Sequence, residues 1–348
     1  MPEIRCCILG ATGFIGGQIA RAAVAQGWHV RALRRRPDAT GAIGDLDVEW
    51  VPGNLADPAS LVAAMRGCPL IFHAAAYYPH RARNIWETMR HGVTGMRNVL
   101  TAAVTAGVKR IVYTSALTTV GPSQDPARLA NEHDLYIPGS VPNPYFEVKW
   151  AMEMEALRAT AQGVPVVAVL PTAVFGPGDI KPTTSEILLM VARGGMPVYV
   201  AGTINVVDGR DVAQGHIAAA VRGKPGQRYI LGGHNLTIRR MLTVAAEAAG
   251  RRAPRLKLHP GLLRLMAQVG GRLGVQGTYH LEAIEHWQPL DTSRAHRELG
   301  LPEPIPFEQT CRDTLDWFRE HGYLKGHLKG KPAPSPMPSP EPEEPPKQ

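Results

Sequence analysis

The sequence contains few aromatic residues and few cysteines. Phenylalanine, tryptophan and tyrosine together make up 6% of its 348 residues, too few to favour a surface that stacks nucleic-acid bases on aromatic rings. The four cysteines, at positions 6, 7, 68 and 311, have neither the spacing of a metal site nor that of a disulfide framework. We therefore expect no nucleic-acid partner and no metal, with Cys6 and Cys7 as small buried apolar residues of a first strand.

Long apolar runs are also absent. No stretch reaches the roughly 18 apolar residues that a membrane-spanning helix needs, and the N-terminus has no charged region followed by an apolar signal segment. The sequence therefore predicts a cytoplasmic protein without a membrane span. Hydrophobic residues still make up 44% of the chain, enough for a sizeable core, and the net charge of +8 suits an anionic cofactor or substrate.

A glycine-rich turn organises the rest of the chain. Residues 4–9 are typical of a buried parallel strand and residues 18–25 of a helix, and the glycines between them follow the spacing G-x-x-G-x-x-G. A strand, a tight turn and a helix N-terminus in this order aim backbone N–H groups and a partial positive charge at one point, which suits a pyrophosphate. We therefore predict that a dinucleotide cofactor binds at Gly10, Thr12, Gly13, Phe14, Ile15 and Gly16.

The end of the next predicted strand bears on which dinucleotide binds. Strand 29–33 runs into three arginines, and the segment 29–37 contains no carboxylate. Enzymes that use NAD usually place Asp or Glu there, on the ribose 2′-hydroxyl, whereas a positive group accommodates the additional phosphate of NADP. The sequence therefore favours NADP over NAD, with Arg34 as a ligand. The alternative is that the three arginines are only solvated.

Strands and helices alternate over the first half of the chain. The predicted strands cover residues 4–9, 29–33, 48–51, 70–76, 109–115 and 165–170. The predicted helices cover residues 18–25, 58–65, 85–106 and 144–162, with a loop between the fifth strand and the last of these helices. Asp57 and Asn143 are expected as N-caps, each before a proline at the first helical position. This order predicts an α/β fold, a Rossmann-type doubly wound parallel sheet with helices on both faces.

The second half of the chain has shorter elements. Helices are predicted near residues 185–192, 211–221, 237–249, 261–273 and 306–321, with a strand at 228–231. We assign residues 1–175 to the dinucleotide-binding domain, which could regain elements from 205–235, and residues 176–324 to a smaller C-terminal α/β substrate lobe. Residues 325–348 are polar and rich in proline, which predicts a disordered tail.

Tyr145 and Lys149 are four residues apart on a predicted helix, so they share one face about a turn apart. Tyrosine normally keeps its proton up to about pH 10. A nearby ammonium lowers that pKa and lets the phenol act as an acid or base near neutrality. Because the pair follows five predicted strands of a chain that opens on the glycine turn, we predict that both residues are catalytic.

The sequence resembles the extended short-chain dehydrogenases/reductases, the superfamily of NAD-dependent epimerases and dehydratases. Three segments match motifs of that superfamily: GATGFIG at 10–16, YFEVK at 145–149 and PTAVFGP at 171–177. The likeness covers roughly residues 3–322. Segments 178–183 and 228–233 resemble its dihydroflavonol-reductase-like branch, especially the hopanoid-associated sugar epimerases.

The resemblance implies a mechanism and a cofactor site. Tyr145 exchanges a proton with the substrate oxygen, while Lys149 lowers the tyrosine pKa and holds the ribose of the cofactor. A hydroxyl at the end of the fifth strand hydrogen-bonds the same substrate oxygen. The implied cofactor contacts beyond the glycine turn are Asn54, Leu55, Ala74, Ala75, Lys149, Pro171 and Val174.

The sequence departs from the family pattern at three positions. The hydroxyl at the end of the fifth strand aligns with Ala116, so Ser115 is taken as the catalytic hydroxyl, with Thr118 as the other nearby candidate. The family's aspartate beside the adenine is Asn54 here, and an asparagine of the long helix is replaced by Gly92. These departures leave cofactor binding expected and full catalytic competence less assured.

The substrate region is poorly specified by the sequence. Tyr77 and Arg81 follow the fourth strand, where members of the family contact substrate, and Lys181 and Arg210 are further candidates. The alternative is that these side chains belong to solvated loops. His73 is expected to be a satisfied histidine at a strand end.

Three functions remain open at this point. The arginine cluster favours an NADP-dependent oxidoreductase that reduces a small ketone or aldehyde. The branch resemblance favours a nucleotide-sugar epimerase or dehydratase that recycles a bound nicotinamide cofactor. Ala116 and Gly92 leave room for a catalytically weak cofactor-binding sensor or scaffold. The sequence itself does not fix the oligomeric state. Members of the family often dimerise through two long helices, here those predicted near 85–106 and 145–162, so the resemblance makes a homodimer one possibility.

Overall fold

A computed structural model describes residues 4–75, 85–141, 143–194, 196–259, 261 and 286–324. The strands of these residues are β1 (Arg5–Leu9), β2 (His29–Arg34), β3 (Glu49–Pro52), β4 (Leu70–His73), β5 (Arg110–Thr114), β6 (Val166–Pro171), β7 (Ala173–Phe175), β8 (Val198–Tyr199), β9 (Thr203–Asp208), β10 (Arg228–Leu231), β11 (His234–Thr237) and β12 (Leu256–Lys257). The helices are α1 (Phe14–Ala25), α2 (Pro58–Met65), α3 (Ile85–Thr105), α4 (Pro144–Ala161), α5 (Glu186–Ala192), α6 (Gly209–Arg222), α7 (Ile238–Ala248), α8 (Ser293–Leu299) and α9 (Phe307–Glu320).

Seven strands form one parallel sheet in the order β10-β6-β5-β4-β1-β2-β3. Side chains of β1 alternate between its faces. Cys6 and Ile8 join the apolar core beneath α1 and α6, while Cys7 and Leu9 join the core beneath α2, α3 and α4. The predicted Rossmann-type parallel sheet is confirmed, as is the burial of both cysteines. After β1 the chain adds β2 and β3 on one side of it, and then adds β4 on the other side. This reversal of the strand order creates the crevice, at the carboxyl ends of the strands, where such sheets bind ligands.

Two helices of the sheet begin at the caps that the sequence predicts. The carboxylate of Asp57 accepts hydrogen bonds from the backbone of Ala59 and Ser60, and Pro58 occupies the first helical position of α2. The side chain of Asn143 accepts a hydrogen bond from the backbone N–H of Tyr145 at 2.9 Å. Each cap satisfies donors that a helix leaves unpaired at its start. Strands and helices up to β6 lie within a few residues of their predicted bounds.

A second sheet, in the order β11-β9-β7, contains three strands that the sequence analysis did not predict. Strand β9 pairs antiparallel with β11 and parallel with β7. Helices α5, α7 and α9 pack on this sheet around a separate apolar core. Helix α8 was likewise not predicted. The predicted helix near 261–273, apart from Gly261, and the predicted tail at 325–348 lie outside the described residues.

The two longest helices, α3 and α4, pack closely against each other because of one glycine. A Cβ atom at Gly92 of α3 would overlap the Val148 Cγ2 methyl of α4 and lie 3.2 Å from the Met152 sulfur. The family's asparagine could not occupy this position without moving α4. Within the described ranges, no helix is both long and apolar enough to cross a membrane.

Candidate active site

The turn after β1 contains two glycines that the backbone itself requires. Gly10 has a φ of 93°, in the region that favours glycine. A Cβ atom at Gly10 would lie 2.6 Å from the amide nitrogen of Ala75, and one at Gly16 would collide with the Gly10 carbonyl oxygen. The turn therefore packs against the end of β4 and against itself with no room for side chains.

The third glycine of the turn, Gly13, is less crowded than the other two by the residues that the structure describes. It is exposed at the N-cap of α1, and the nearest atom to a Cβ there would be the Gly10 carbonyl oxygen at 3.3 Å. In the part of the chain that the structure describes, no side chain caps α1. The open N–H groups of residues 14–16 and the positive end of the helix dipole face this point. The turn therefore fits the pyrophosphate of a dinucleotide.

Arg34 lies at the carboxyl end of β2, beside the same crevice. Its guanidinium carbon is 4.9 Å from the centre of the Trp50 ring, within the range of a cation–π contact. No ion pair joins Arg34 to a carboxylate of the described residues, whereas its neighbour on the strand, Arg31, pairs with Glu49 at 2.9 Å. The tryptophan therefore fixes the Arg34 cation without neutralising its charge.

Other predicted cofactor contacts also lie at the carboxyl ends of the strands. Ala74 and Ala75 follow β4, half-buried, and the Ala74 amide donates to the carbonyl oxygen of Leu9. Asn54 and Leu55 follow β3. The Asn54 side chain is exposed and accepts a hydrogen bond from Ala56, so its amide group remains able to donate.

Pro171 and Val174 belong to the same edge of the sheet. Pro171 ends β6, and Val174 lies in β7, where its side chain is buried. Along with Ala74 and Ala75, they line the carboxyl side of the sheet with small or apolar groups. Such groups let the flat ring of a cofactor approach the backbone.

Helix α4 presents the two residues predicted to be catalytic on one face. Tyr145 is half-buried in the first turn, and Lys149 is buried one turn later. The Lys149 ammonium donates to the carbonyl oxygens of Thr114 at 3.2 Å and Ser115 at 3.4 Å, and lies 5.8 Å from the centre of the Tyr113 ring. Burial lowers the pKa of Lys149 to about 8, against the opposing effect of the Glu153 carboxylate. The ammonium is therefore retained at neutral pH.

The end of β5 supplies hydroxyl groups near this face. Ser115 follows the last residue of β5, and its hydroxyl donates to Glu153 of α4, so it is engaged away from the crevice. Thr119 donates to the same carboxylate at 2.7 Å. Thr118, in the 3₁₀ turn between them, is buried with no hydrogen-bond partner for its hydroxyl among the described residues. Of the two hydroxyls considered from the sequence, Thr118 is the one left available.

The predicted substrate residues are only partly described. Lys181 is exposed on the loop after β7. The Arg210 guanidinium is paired with Asp208 and Asp313, each at 2.7 Å, so its charge is already neutralised. Tyr77 and Arg81 lie outside the described residues.

His73, at the end of β4, is not the satisfied histidine expected from the sequence. It is wholly buried, and neither ring nitrogen has a hydrogen-bond partner among the described residues. Burial, together with the nearby Lys149 cation, lowers the pKa of His73 to about 3. The ring is therefore neutral at physiological pH.

The sequence analysis missed one charged pair behind the site. Glu153 of α4 is fully buried and lies 2.6 Å from the Arg228 guanidinium of β10. A signal was present, because Glu153 follows Lys149 by four residues, as Lys149 follows Tyr145, and the three share one helix face. In the described parts of the chain, no cluster of side chains forms a metal site.

Comparison with known proteins gives consistent matches over most of the chain. The model of the NAD dependent epimerase/dehydratase family matches residues 6–232. Sterol demethylase protein B of Methylococcus capsulatus is 32% identical over 91% of this chain and 99% of its own length. A 4-hydroxy-2-methyl-3-oxo-4-farnesyl-3,4-dihydroquinoline-1-oxide ketoreductase of Stigmatella aurantiaca is 30% identical over 92% of this chain and 97% of its own. The solved structure of a nucleoside-diphosphate-sugar epimerase from Pseudomonas aeruginosa superimposes with a TM-score of 0.80 at 28% identity, covering 92% of this chain and 99% of that one.

Proposed function

Because the chain belongs to the NAD-dependent epimerase/dehydratase family, we propose that it is a reductase that uses NADPH to convert a ketone or aldehyde to an alcohol. The assignment of NADPH rather than NADH as cofactor rests on one observation. At the end of β2, where a carboxylate would bind the ribose hydroxyls of NADH, the chain has Arg34 held over the Trp50 ring. A cation that is fixed here, and that has no carboxylate partner among the described residues, suits the 2′-phosphate that distinguishes NADPH from NADH.

Helix α4 supplies the proton chemistry in this proposal. NADPH, when bound against the glycine turn, supplies the hydride. Tyr145 donates a proton to the substrate oxygen, and the Lys149 ammonium stabilises the phenolate that remains. Because the pKa of Lys149 is about 8, this stabilisation is present at neutral pH and declines above it.

A second hydroxyl shares the negative charge that develops on the substrate oxygen. The family pattern places that group at position 116, which is alanine here. Ser115 is already hydrogen-bonded to Glu153, whereas the Thr118 hydroxyl has no partner among the described residues. The proposal therefore gives this role to Thr118 in place of Ser115.

The proposed substrate is a small molecule with a ketone or aldehyde group, in line with the ketoreductase named among the relatives. A nucleotide-sugar epimerase is the second candidate, and the likeness to the Pseudomonas aeruginosa epimerase favours it. The two differ in what happens to the cofactor. A reductase releases oxidised cofactor at each turnover, whereas an epimerase regenerates its cofactor and has no need to release it.

A titration of cofactor binding tests the NADPH assignment. We would measure the affinities for NADPH and NADH by intrinsic fluorescence in wild type, Arg34→Ala and the control Arg36→Ala, an exposed arginine two residues further on. The expected result is at least about tenfold tighter binding of NADPH, equivalent to about 1.4 kcal/mol, which Arg34→Ala removes and Arg36→Ala retains. Equal affinities in wild type, or NAD retained through purification and dialysis, would count against the reductase and favour the epimerase.

A further inference from the structure

We propose that Glu153 is a positioning residue for catalysis, because its buried carboxylate fixes the segment 115–119, which includes Thr118, against α4. The inference rests on the proposed function, in which Lys149 and Thr118 act on the same substrate oxygen. It goes beyond that function by assigning a role to a carboxylate that does not itself reach substrate or cofactor.

The Glu153 carboxylate binds both ends of a short segment. Its Oε2 atom accepts hydrogen bonds from the hydroxyls of Ser115 and Thr119, which lie on either side of Thr118. The same segment forms the 3₁₀ turn after β5. With its first and last residues held by one carboxylate, the segment has little freedom to shift Thr118 or the backbone at Ala116.

Arg228 holds the carboxylate from the other side. Its Nε atom lies 2.6 Å from Oε1 of Glu153, and its side chain is 7% exposed. The guanidinium also donates to the carbonyl oxygens of Glu132 at 2.6 Å and Thr119 at 2.8 Å. The pair therefore links β10, α4 and the segment after β5 in one buried network.

Lys149 and Glu153 hold that segment from successive turns of α4. Lys149 donates to the carbonyl oxygens of residues 114 and 115, and Glu153 accepts from the hydroxyls of residues 115 and 119. Removing either side chain would release one end of the segment. The two residues thus act on one piece of backbone, although they carry opposite charges.

The charge of Glu153 also acts on the protonation of Lys149. The groups that face the ammonium or its charged neighbour are Tyr113 from β5, His73 from β4, Glu153 from α4 itself and Arg228 from β10, which is paired with Glu153. His73 is neutral at physiological pH, and burial raises the pKa of Tyr113. Arg228 offsets part of the charge of Glu153, and the Glu153 carboxylate still opposes the effect of burial on the pKa of Lys149. Without this carboxylate, Lys149 would lose its proton at a lower pH.

A purely mechanical link between α4 and β10 does not need two buried charges. Removing charges from water is costly, and apolar side chains of similar volume often give equal or greater stability. The network is therefore better explained by what its charges do at the adjacent site.

The test compares Glu153→Gln with Glu155→Gln in the full-length protein. Glu155 lies on the same helix but pairs with Arg97 of α3, so its variant is the matched control. We expect Glu153→Gln to lower kcat for NADPH-dependent carbonyl reduction by about ten- to a hundredfold with little change in the KM for NADPH. The basic limb of the pH profile should move down by about one pH unit. Glu155→Gln should match wild type in both, and Glu153→Asp should keep the wild-type pH limb.

A second variant covers the case in which Glu153→Gln does not fold. Thr119→Val removes one hydrogen bond to the carboxylate and keeps its charge, so it should lower kcat without moving the pH limb. A folded Glu153→Gln enzyme with wild-type kcat and pH limb would overturn the proposal, as would a Thr119→Val enzyme with wild-type kcat.

A readout without turnover separates this proposal from the proposed function. The Lys149 ammonium can be titrated by nitrogen-15 NMR of labelled lysines, with its signal assigned from its loss in Lys149→Met. A lower pKa of Lys149 in Glu153→Gln than in wild type supports the electrostatic role even if no carbonyl compound is reduced. Absence of turnover in wild type would then refute the reductase alone, and an unchanged Lys149 pKa would refute the inference.

Discussion

Replacing Gly92 with alanine would add one methyl group where α3 packs against α4, the helix that carries Tyr145 and Lys149. The new Cβ atom would overlap the Val148 Cγ2 methyl and press on Met152, whose sulfur would be 3.2 Å away. Val148 is fully buried and β-branched, and such a side chain in a helix has one strongly preferred rotamer. The methyl therefore cannot swing aside, and the two helices must separate.

The magnitude follows from two opposing effects. Overpacking of a buried site costs about 1–3 kcal/mol, while exchanging glycine for alanine inside a helix gains about 1 kcal/mol. We expect the Gly92→Ala variant to lose up to about 2 kcal/mol of unfolding free energy, or up to about 3 °C in Tm for a chain of this length. Because α4 carries Tyr145 and Lys149, kcat should also fall in the folded variant.

Gly95, one turn along α3, provides the matched control. A Cβ atom there would lie 3.7 Å from the Leu55 Cβ, an ordinary van der Waals contact. Gly95→Ala should therefore stabilise the protein by up to about 1 kcal/mol. Thermal unfolding of both variants by circular dichroism, with kcat measured at 25 °C, would check the prediction. If Gly92→Ala unfolds at or above the Tm of Gly95→Ala, the close helix contact does not limit packing as argued.

Three further changes test other parts of the structure. Gly16→Ala should weaken NADPH binding by at least about tenfold, because the added Cβ collides with the Gly10 carbonyl and opens the turn. A fluorescence titration that gives the wild-type affinity for NADPH would contradict this prediction. Asp57→Ala should reduce the unfolding free energy by about 1 kcal/mol, since it removes the acceptor for two backbone N–H groups of α2. An unchanged midpoint of unfolding in urea would show that the cap contributes nothing to stability. The pKa of Lys149 is about 8 in the folded protein and 10.5 in its ordinary state, so between these values the unfolded chain holds a proton that the folded chain has released. The unfolding free energy of wild type should therefore rise with pH across that window, by roughly 3 kcal/mol relative to that of Lys149→Met. If the difference in unfolding free energy between the two proteins stays flat or falls with pH, the ammonium is not buried as argued.

The sequence predicted the first half of the fold well because its signals are local. Asp57 and Asn143 each precede a proline at the first helical position, and the observed helices begin there. Most of the parallel strands, such as β1 and β4, are short apolar runs that are buried on both faces, so their composition identifies them. The strands β7, β9 and β11 are of similar length, but they are defined by pairing with one another across about 30 residues of sequence, which no local pattern shows.

The candidate site was predictable only where its residues are close in sequence. Tyr145 and Lys149 share a helix face by spacing, and the glycine turn is a contiguous segment. The orientation of the Ser115 hydroxyl could not be predicted, because it depends on Glu153, 38 residues away. The burial of Glu153 depends in turn on Arg228 in β10. A buried carboxylate without a visible partner is an unlikely core residue by composition alone, so only the tertiary structure reveals its role.

The face of α4 that carries Tyr145, Lys149 and Glu153 is set by contacts at three points along the helix. At its start, the Asn143 cap bonds the backbone N–H of Tyr145 itself, and moving the cap by one residue would rotate that face by about 100°. In the middle, Gly92 of α3 lets the helix approach closely enough for Lys149 to reach the end of β5. One turn further, Arg228 holds Glu153. The phenol of Tyr145, the ammonium of Lys149 and the carboxylate of Glu153 therefore lie on successive turns of one helix, so a change at any of the three contacts should be tested for its effect on all three side chains.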